Sequence, residues 1–292
     1  MGRASARVDA AMLEARAAVL AKRSIKAVAK QAGIDLLISC LDLTTLEGRD
    51  TPGQVRALCA RANAPYPGAP PVAAVCVYST FAALARSELA DASVKVAAVA
   101  GAFPSGCSPL ELRLAEIRAA VAGGADEIDV VVDRGALLCG DSARISAELE
   151  AMRECSGPAL LKVILETGEL GSYQAIRHAC DLALDAGADF IKSSTGKIPA
   201  AATPSVALLM CEAIREHFRR TGRAAGLKLA GGVRTTKAAL GYLAIVKETL
   251  GPAWLHPTRL RIGASALLDD LLMQRDKEAS GAYAGSAYVA TI

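Results

Sequence analysis

Short, almost continuously apolar runs alternate along the chain with longer runs whose apolar positions recur at helical spacing. The short runs fall at 37–45, 72–79, 94–100, 127–133, 159–166, 190–194, 226–230 and 260–263. Between them, Leu110, Leu112, Leu114, Ile117 and Val121 mark one amphipathic stretch, and Val206, Leu209, Ile214 and Phe218 another. Strands that are apolar on both faces belong to a parallel sheet covered by helices. Eight such strands, each followed by a helix, predict an α/β chain closed as a (β/α)8 TIM barrel. A doubly wound sheet is the alternative. It would carry a glycine-rich fingerprint in its first βα turn, and that turn instead reads Asp42-Leu43-Thr44-Thr45-Leu46.

The pattern predicts a single domain over 1–292, with a helical extension at 1–35 and a flexible tail at 277–292. Ala10, Met12, Leu13, Ala17, Val19 and Leu20 give the extension an apolar face, expected to pack over the barrel bottom or to support an oligomer contact. The tail is rich in Ala, Gly, Ser and Tyr and is expected to be mobile.

Composition narrows the class. With 33 basic and 30 acidic residues the formal net charge is only +3, and no concentrated basic patch predicts a nucleic-acid partner. The run Arg219-Arg220-Thr221-Gly222-Arg223 reads as a solvated helix end. The eight cysteines include no C-x-x-C pair, which argues against zinc or redox motifs and for reduced thiols in a cytoplasmic protein. Arg16, Lys22 and Arg23 interrupt the first apolar run, so no signal peptide is expected, and no uncharged stretch of about 18 residues predicts a membrane span.

Among the charged residues inside apolar strand runs, three stand out: Asp129 in Ile128-Asp129-Val130-Val131, Lys192 in Phe190-Ile191-Lys192-Ser193, and Lys228 in Leu227-Lys228-Leu229. A lysine has an ordinary pKa of about 10.4. Burial beside a second ammonium lowers it and frees a nucleophilic amine. Two such lysines with a carboxylate suggest Schiff-base chemistry on a carbonyl compound, with Lys192, Lys228 and Asp129 as the reacting groups. Lys162 shares strand parity with Glu166, which predicts that both point inward and pair, with Lys162 in a supporting electrostatic role. Asp42, Thr44, Cys76 and Thr195 are further polar residues in or just after strands.

The last three βα turns are of one kind: Ser194-Thr195-Gly196-Lys197, Gly231-Gly232-Val233-Arg234 and Gly263-Ala264-Ser265. Glycines let backbone N–H groups approach an anion, and hydroxyls and cations complete the cradle. Barrels often hold phosphate after strands seven and eight. Gly196, Lys197, Gly231, Gly232, Arg234, Gly263 and Ser265 are therefore the expected phosphate-binding residues. The three histidines, His178, His217 and His256, lie away from strand ends, so neither a metal nor another cofactor is expected.

At these positions the chain resembles the deoxyribose-phosphate aldolases, class I aldolases with a (β/α)8 barrel. The resemblance covers about 38–272. It is carried by Asp42-Leu43-Thr44-Thr45-Leu46, Ala74-Val75-Cys76-Val77-Tyr78, Gly124-Ala125-Asp126-Glu127-Ile128-Asp129-Val130-Val131 and Leu161-Lys162-Val163-Ile164-Leu165-Glu166-Thr167-Gly168-Glu169-Leu170, together with 189–197, 228–234 and 261–265. It implies reversible cleavage of 2-deoxy-D-ribose 5-phosphate to D-glyceraldehyde 3-phosphate and acetaldehyde, in deoxyribose phosphate catabolism. It also implies that Lys192 forms the Schiff base, Lys228 is its partner lysine and Asp129 shuttles protons. A homo-oligomer, most simply a dimer, is implied too. The alternatives are a class I aldolase for another phosphorylated sugar and a non-catalytic sugar-phosphate-binding protein. Ser193 stands where Thr is usual, Leu229 and Ser79 where Pro is common, and Ala266 where a second hydroxyl is usual. Some family members place a tail tyrosine over the site, and both Tyr283 and Tyr288 are candidates for that place.

Overall fold

The computed structural model describes residues 5–280 except 24, 26, 90–92 and 200–201. Eight parallel strands close into a barrel in chain order. They are β1 (Leu41–Thr44), β2 (Ala74–Tyr78), β3 (Lys95–Ala100), β4 (Glu127–Val131), β5 (Leu160–Ile164), β6 (Phe190–Lys192), β7 (Gly226–Ala230) and β8 (Leu260–Ala264). Closure comes from β1 on β8, with Leu41 opposite Ile262 and Asp42 opposite Gly263. Outside the strands run α3 (Pro52–Asn63), α4 (Ala82–Glu88), α5 (Leu110–Ala122), α7 (Ser142–Cys155), α8 (Tyr173–Asp185), α9 (Pro204–Thr221), α10 (Thr236–Leu250) and α11 (Leu267–Ser280). A short α6 (Arg134–Leu138) follows β4. No described helix is long and apolar enough to cross a membrane.

Local chemistry sets where the loops at the C-terminal strand ends stop. Thr51 and Gln54 form a reciprocal capping box at α3. The side chains of Ser172, Thr203 and Thr235 cap α8, α9 and α10, satisfying N–H groups that the helix leaves without partners.

Two helices precede the barrel. α1 (Ala10–Ala21) packs on the outer flank against α9 and α10 instead of covering the barrel bottom, and α2 (Ala27–Ser39) packs against α10 and α11. Residues 37–39, expected to open the first strand, are the last turn of α2. Leu37 and Ile38 are wholly buried there, and a continuous apolar run carries no periodicity that separates helix from strand. At the other end α11 continues to Ser280, so the first residues of the expected tail are helical. Tyr283 and Tyr288 lie outside the described residues.

Register places partner residues on one face of the wall. Asp129 lies opposite Lys162, Ile164 opposite Lys192, Lys192 opposite Lys228, and Lys228 opposite Arg261. One side of the lumen is apolar: Leu46, Ala74, Cys76, Ala97 and Val99 cluster with Tyr78 and Phe103. The other side, on β4 to β8 and β1, carries the charges. Near the start of β6 the Phe190 ring fills the lumen beneath the Arg261 guanidinium, 5.6 Å away. Gly226 makes room for that ring, since a Cβ there would lie 2.2 Å from Phe190 Cε1.

Candidate active site

The charged side of the lumen is one network of salt bridges between wholly or almost wholly buried groups. Asp129 Oδ2 is shared by two lysines, with Lys192 Nζ and Lys228 Nζ each at 2.7 Å. Lys228 also reaches Asp42 Oδ2 at 2.5 Å. Lys162 lies 3.0 Å from Asp129 Oδ1, 2.5 Å from Glu127 Oε2 and 3.3 Å from Asp42 Oδ2. Arg261 closes the network with Asp42 Oδ1 at 2.7 Å and Glu127 Oε1 at 2.6 Å.

The network sets four cations (Lys162, Lys192, Lys228, Arg261) against three carboxylates (Asp42, Glu127, Asp129), so full ionisation leaves one positive charge in excess. A buried unbalanced charge is expensive, and the group with fewest opposite partners is the one whose charge is held least firmly. That group is Lys192, which touches Asp129 alone. Its ammonium is driven below the ordinary lysine range, first by burial and then by the Lys228 charge, against the pull of Asp129. Lys228 behaves oppositely: burial favours its neutral form, but Asp129 and Asp42 together hold it well above the ordinary range. Lys162 is raised likewise by Asp129, Asp42 and Glu127 against burial. Burial would raise Asp42 and Asp129, yet the surrounding cations keep both carboxyls below the ordinary range. Cys76 faces the lumen from the apolar side, and burial pushes its thiol up, so it is held protonated.

Lys162 does not pair with Glu166, as strand parity suggested. β5 ends at Ile164, and Glu166 has a left-handed backbone (φ 51°, ψ 58°), so alternation no longer governs where it points. Its carboxylate instead accepts from the Thr195 N–H at 3.1 Å and the Thr195 hydroxyl at 2.5 Å. Glu127 and Arg261 escaped the sequence reading as site residues. Glu127 was signalled by a charge two residues before Asp129 in the same apolar strand, and Arg261 by a charge inside the apolar run 260–263.

Above Lys192 opens a cavity of about 370 Å³. Every expected phosphate residue lines it: Gly196 and Lys197 after β6, Gly231, Gly232 and Arg234 after β7, and Gly263 and Ser265 at β8. Thr44, Thr195 and Ala266 line it too, while Asp42, Cys76 and Lys162 are not among its lining residues and are wholly buried. Gly263 lets β8 approach Lys228, since a Cβ there would sit 3.2 Å from Lys228 Cε.

The turn after β6 differs from an open amide cradle. Three of its N–H groups are already engaged, Thr195 on Glu166 after β5, Gly196 on Ser194 Oγ at 3.0 Å and Lys197 on Thr195 Oγ1 at 3.1 Å. That turn therefore offers an anion the Lys197 side chain, whose ammonium now sits 2.8 Å from Glu47. The Ser193 hydroxyl is committed to the backbone, donating to Ala230 O at 2.8 Å and accepting from Ala230 N at 2.9 Å, which ties β6 to β7. Among the described residues no group of three or more His, Cys, Asp and Glu is placed to hold a metal ion. His178 and His217 lie on outer helices and His256 in the loop before β8.

A polar lumen with two lysines on one carboxylate, under a cavity rimmed by Lys197 and Arg234, can bind an anionic carbonyl compound and form an imine with it. Comparison with known proteins agrees. Residues 36–270 match the profile of the DeoC/LacD family aldolases. Deoxyribose-phosphate aldolase of Mus musculus is 42% identical over 94% of this chain and 91% of its own length. The Homo sapiens enzyme of the same name is 40% identical over 94% and 90%. A crystal structure of a provisionally named deoxyribose-phosphate aldolase from Toxoplasma gondii ME49 superposes with a TM-score of 0.76 at 26% identity, covering 88% of this chain and 98% of that one. The chain belongs to the DeoC/LacD family of aldolases, carbon–carbon lyases built on this barrel.

Proposed function

We propose that this chain cleaves 2-deoxy-D-ribose 5-phosphate reversibly to D-glyceraldehyde 3-phosphate and acetaldehyde through a Schiff base on Lys192. The reading is carried by one observation: Lys192 and Lys228 share a single oxygen of Asp129 beneath a cation-rimmed cavity. The relatives' identity over most of their length adds support for the substrate.

The neutral Lys192 amine attacks C1 of the open-chain aldehyde. The carbinolamine loses water, and the resulting iminium is the electron sink for the next step. The C3 hydroxyl gives up its proton, the C3–O bond becomes a carbonyl, and the C2–C3 electron pair moves into the enamine. Glyceraldehyde 3-phosphate leaves. Protonation of the enamine at C2 restores the iminium, and water releases acetaldehyde and Lys192. Asp129, 2.7 Å from both lysine nitrogens, gives protons a path to and from the reacting atoms, and Lys228 is the persistent ammonium that keeps Lys192 neutral. Lys197 and Arg234 would meet the phosphate charge, with Ser265 and the Gly231, Gly232 and Gly263 backbone shaping its seat and Gly196 turning the chain between Thr195 and Lys197.

The test is a cleavage assay with 2-deoxyribose 5-phosphate, reading both aldehydes. The wild type should release them in equal amounts, and Lys192→Met should release neither while melting within a few degrees of wild type. Turnover by the variant, or no turnover by folded wild type, contradicts the reading.

A further inference from the structure

Glu166 is wholly buried, sits outside the lysine network and takes no part in the steps above. It is one of two described non-glycine residues with a positive φ, the other being Ala102. Its neighbours fix it from both sides: Leu165 N bonds Lys192 O at 2.9 Å, and Thr167 N bonds Ser193 O at 2.9 Å. The left-handed residue between these bonds aims its carboxylate at the turn that follows Lys192. A conformation that side-chained residues rarely adopt persists only where the surroundings hold it, and such positions gather at functional sites.

What the carboxylate does there is specific. It takes both donors of Thr195, and the Thr195 hydroxyl, having given its proton to Glu166, accepts the Lys197 N–H. From the outside Arg134, on α6, reaches Glu166 Oε2 at 3.4 Å and the Ser105 carbonyl at 2.8 Å. A chain of hydrogen bonds thus runs from Arg134 through Glu166 and Thr195 to the backbone of Lys197, the cation at the cavity rim. A neutral amide cannot reproduce it, because Thr195 sends one donor to each carboxylate oxygen and an amide offers an acceptor at only one of those two places. Charge-assisted bonds of this kind are about twice as strong as neutral ones.

We infer that Glu166 is a positioning residue for the phosphate end of the site: through Thr195 it fixes the turn that presents Lys197, and so sets the preference for a phosphorylated over an unphosphorylated substrate. This rests on the aldolase reading proposed above, and the test separates the two. Glu166→Gln keeps the shape but turns one acceptor into a donor, so the Thr195 hydroxyl proton loses its partner. Arg134→Gln leaves Glu166 in place and removes its outer contact, together with the Arg134 bonds to Glu169 at 3.1 Å and to the Ser105 carbonyl, neither of which touches the Thr195 turn, which keeps the question open to measurement if Glu166→Gln does not fold.

Inorganic phosphate binding is measured by calorimetry, and kcat/KM is measured for 2-deoxyribose 5-phosphate and for 2-deoxyribose. Glu166→Gln should weaken phosphate binding about tenfold, and the ratio of the two kcat/KM values should fall by the same factor, through KM more than kcat. Arg134→Gln should move both in the same direction by about threefold. Unchanged phosphate affinity, or equal losses on the two sugars, overturns the inference. If wild type cleaves neither sugar, the aldolase reading fails, while the phosphate titration still decides the role of Glu166.

Discussion

At the scale of single residues, the excess of one buried positive charge explains why two lysines on one carboxylate end in different states. Lys228 has two carboxylates within salt-bridge distance and Lys192 has one. The account therefore predicts the pH behaviour of the nucleophile. The proposed mechanism needs neutral Lys192, so kcat/KM should fall as pH drops through its lowered pKa. Lys228→Met removes the neighbouring ammonium, and Asp129 then favours the charged form of Lys192. The acid limb of the pH–rate profile should move to higher pH. A limb that stays in place or moves to lower pH would mean that Lys228 does not tune Lys192. Stability has its own sign. Asp42 and Asp129 have folded pKa values below their unfolded ones. Their contribution is present above about pH 3.9 and is lost as pH falls through the folded values. Lys192 has a folded pKa below its unfolded one, so it costs stability at low pH and that cost is relieved as pH rises. Lys192→Met should therefore raise stability more at pH 5 than at pH 9, read as the difference in denaturation midpoints.

At the scale of elements, the network ties strands that are distant in the chain. Glu127 on β4 holds Lys162 on β5 and Arg261 on β8, and Arg261 holds Asp42 on β1. Removing one partner of a buried ion pair leaves an uncompensated charge, so Glu127→Gln should cost about 3–5 kcal/mol in chemical denaturation. Gly226→Ala should cost about 1–3 kcal/mol, because its Cβ meets the Phe190 ring inside a filled lumen. A loss under about 0.5 kcal/mol in either variant would contradict the packing described here. The lysine-bearing strands were legible because a charge within an apolar run has few bland explanations, and β7 was expected at the bounds it has, Gly226–Ala230. The start of β1 was not, since 36–41 is apolar but for Ser39 and the chain changes from helix to strand within it without a glycine or proline. Glu166 was placed wrongly for a related reason. Parity reasoning assumes that the strand continues, and one left-handed residue ends it.

At the scale of the whole molecule, the barrel brings residues from six strands onto one patch of lumen and gathers three βα turns around one cavity. The turns could be read from the chain because glycine, hydroxyl and cation recur at the same place after consecutive strands. That the Thr195 amide after β6 is consumed by Glu166 could not, since it depends on a contact between turns. In the proposed mechanism an iminium supplies the electron sink that a metal would otherwise provide, so extended dialysis against a chelator should leave kcat unchanged, whereas lost activity restored by a divalent cation would point to different chemistry. The central claim is that Lys192, among three buried lysines, carries the substrate. Borohydride reduction in the presence of 2-deoxyribose 5-phosphate, followed by intact mass and peptide mapping, addresses it most directly. A single reduced adduct on Lys192 is the predicted result, whereas an adduct on Lys228 or Lys162, or none on folded protein that binds the sugar phosphate, would contradict it.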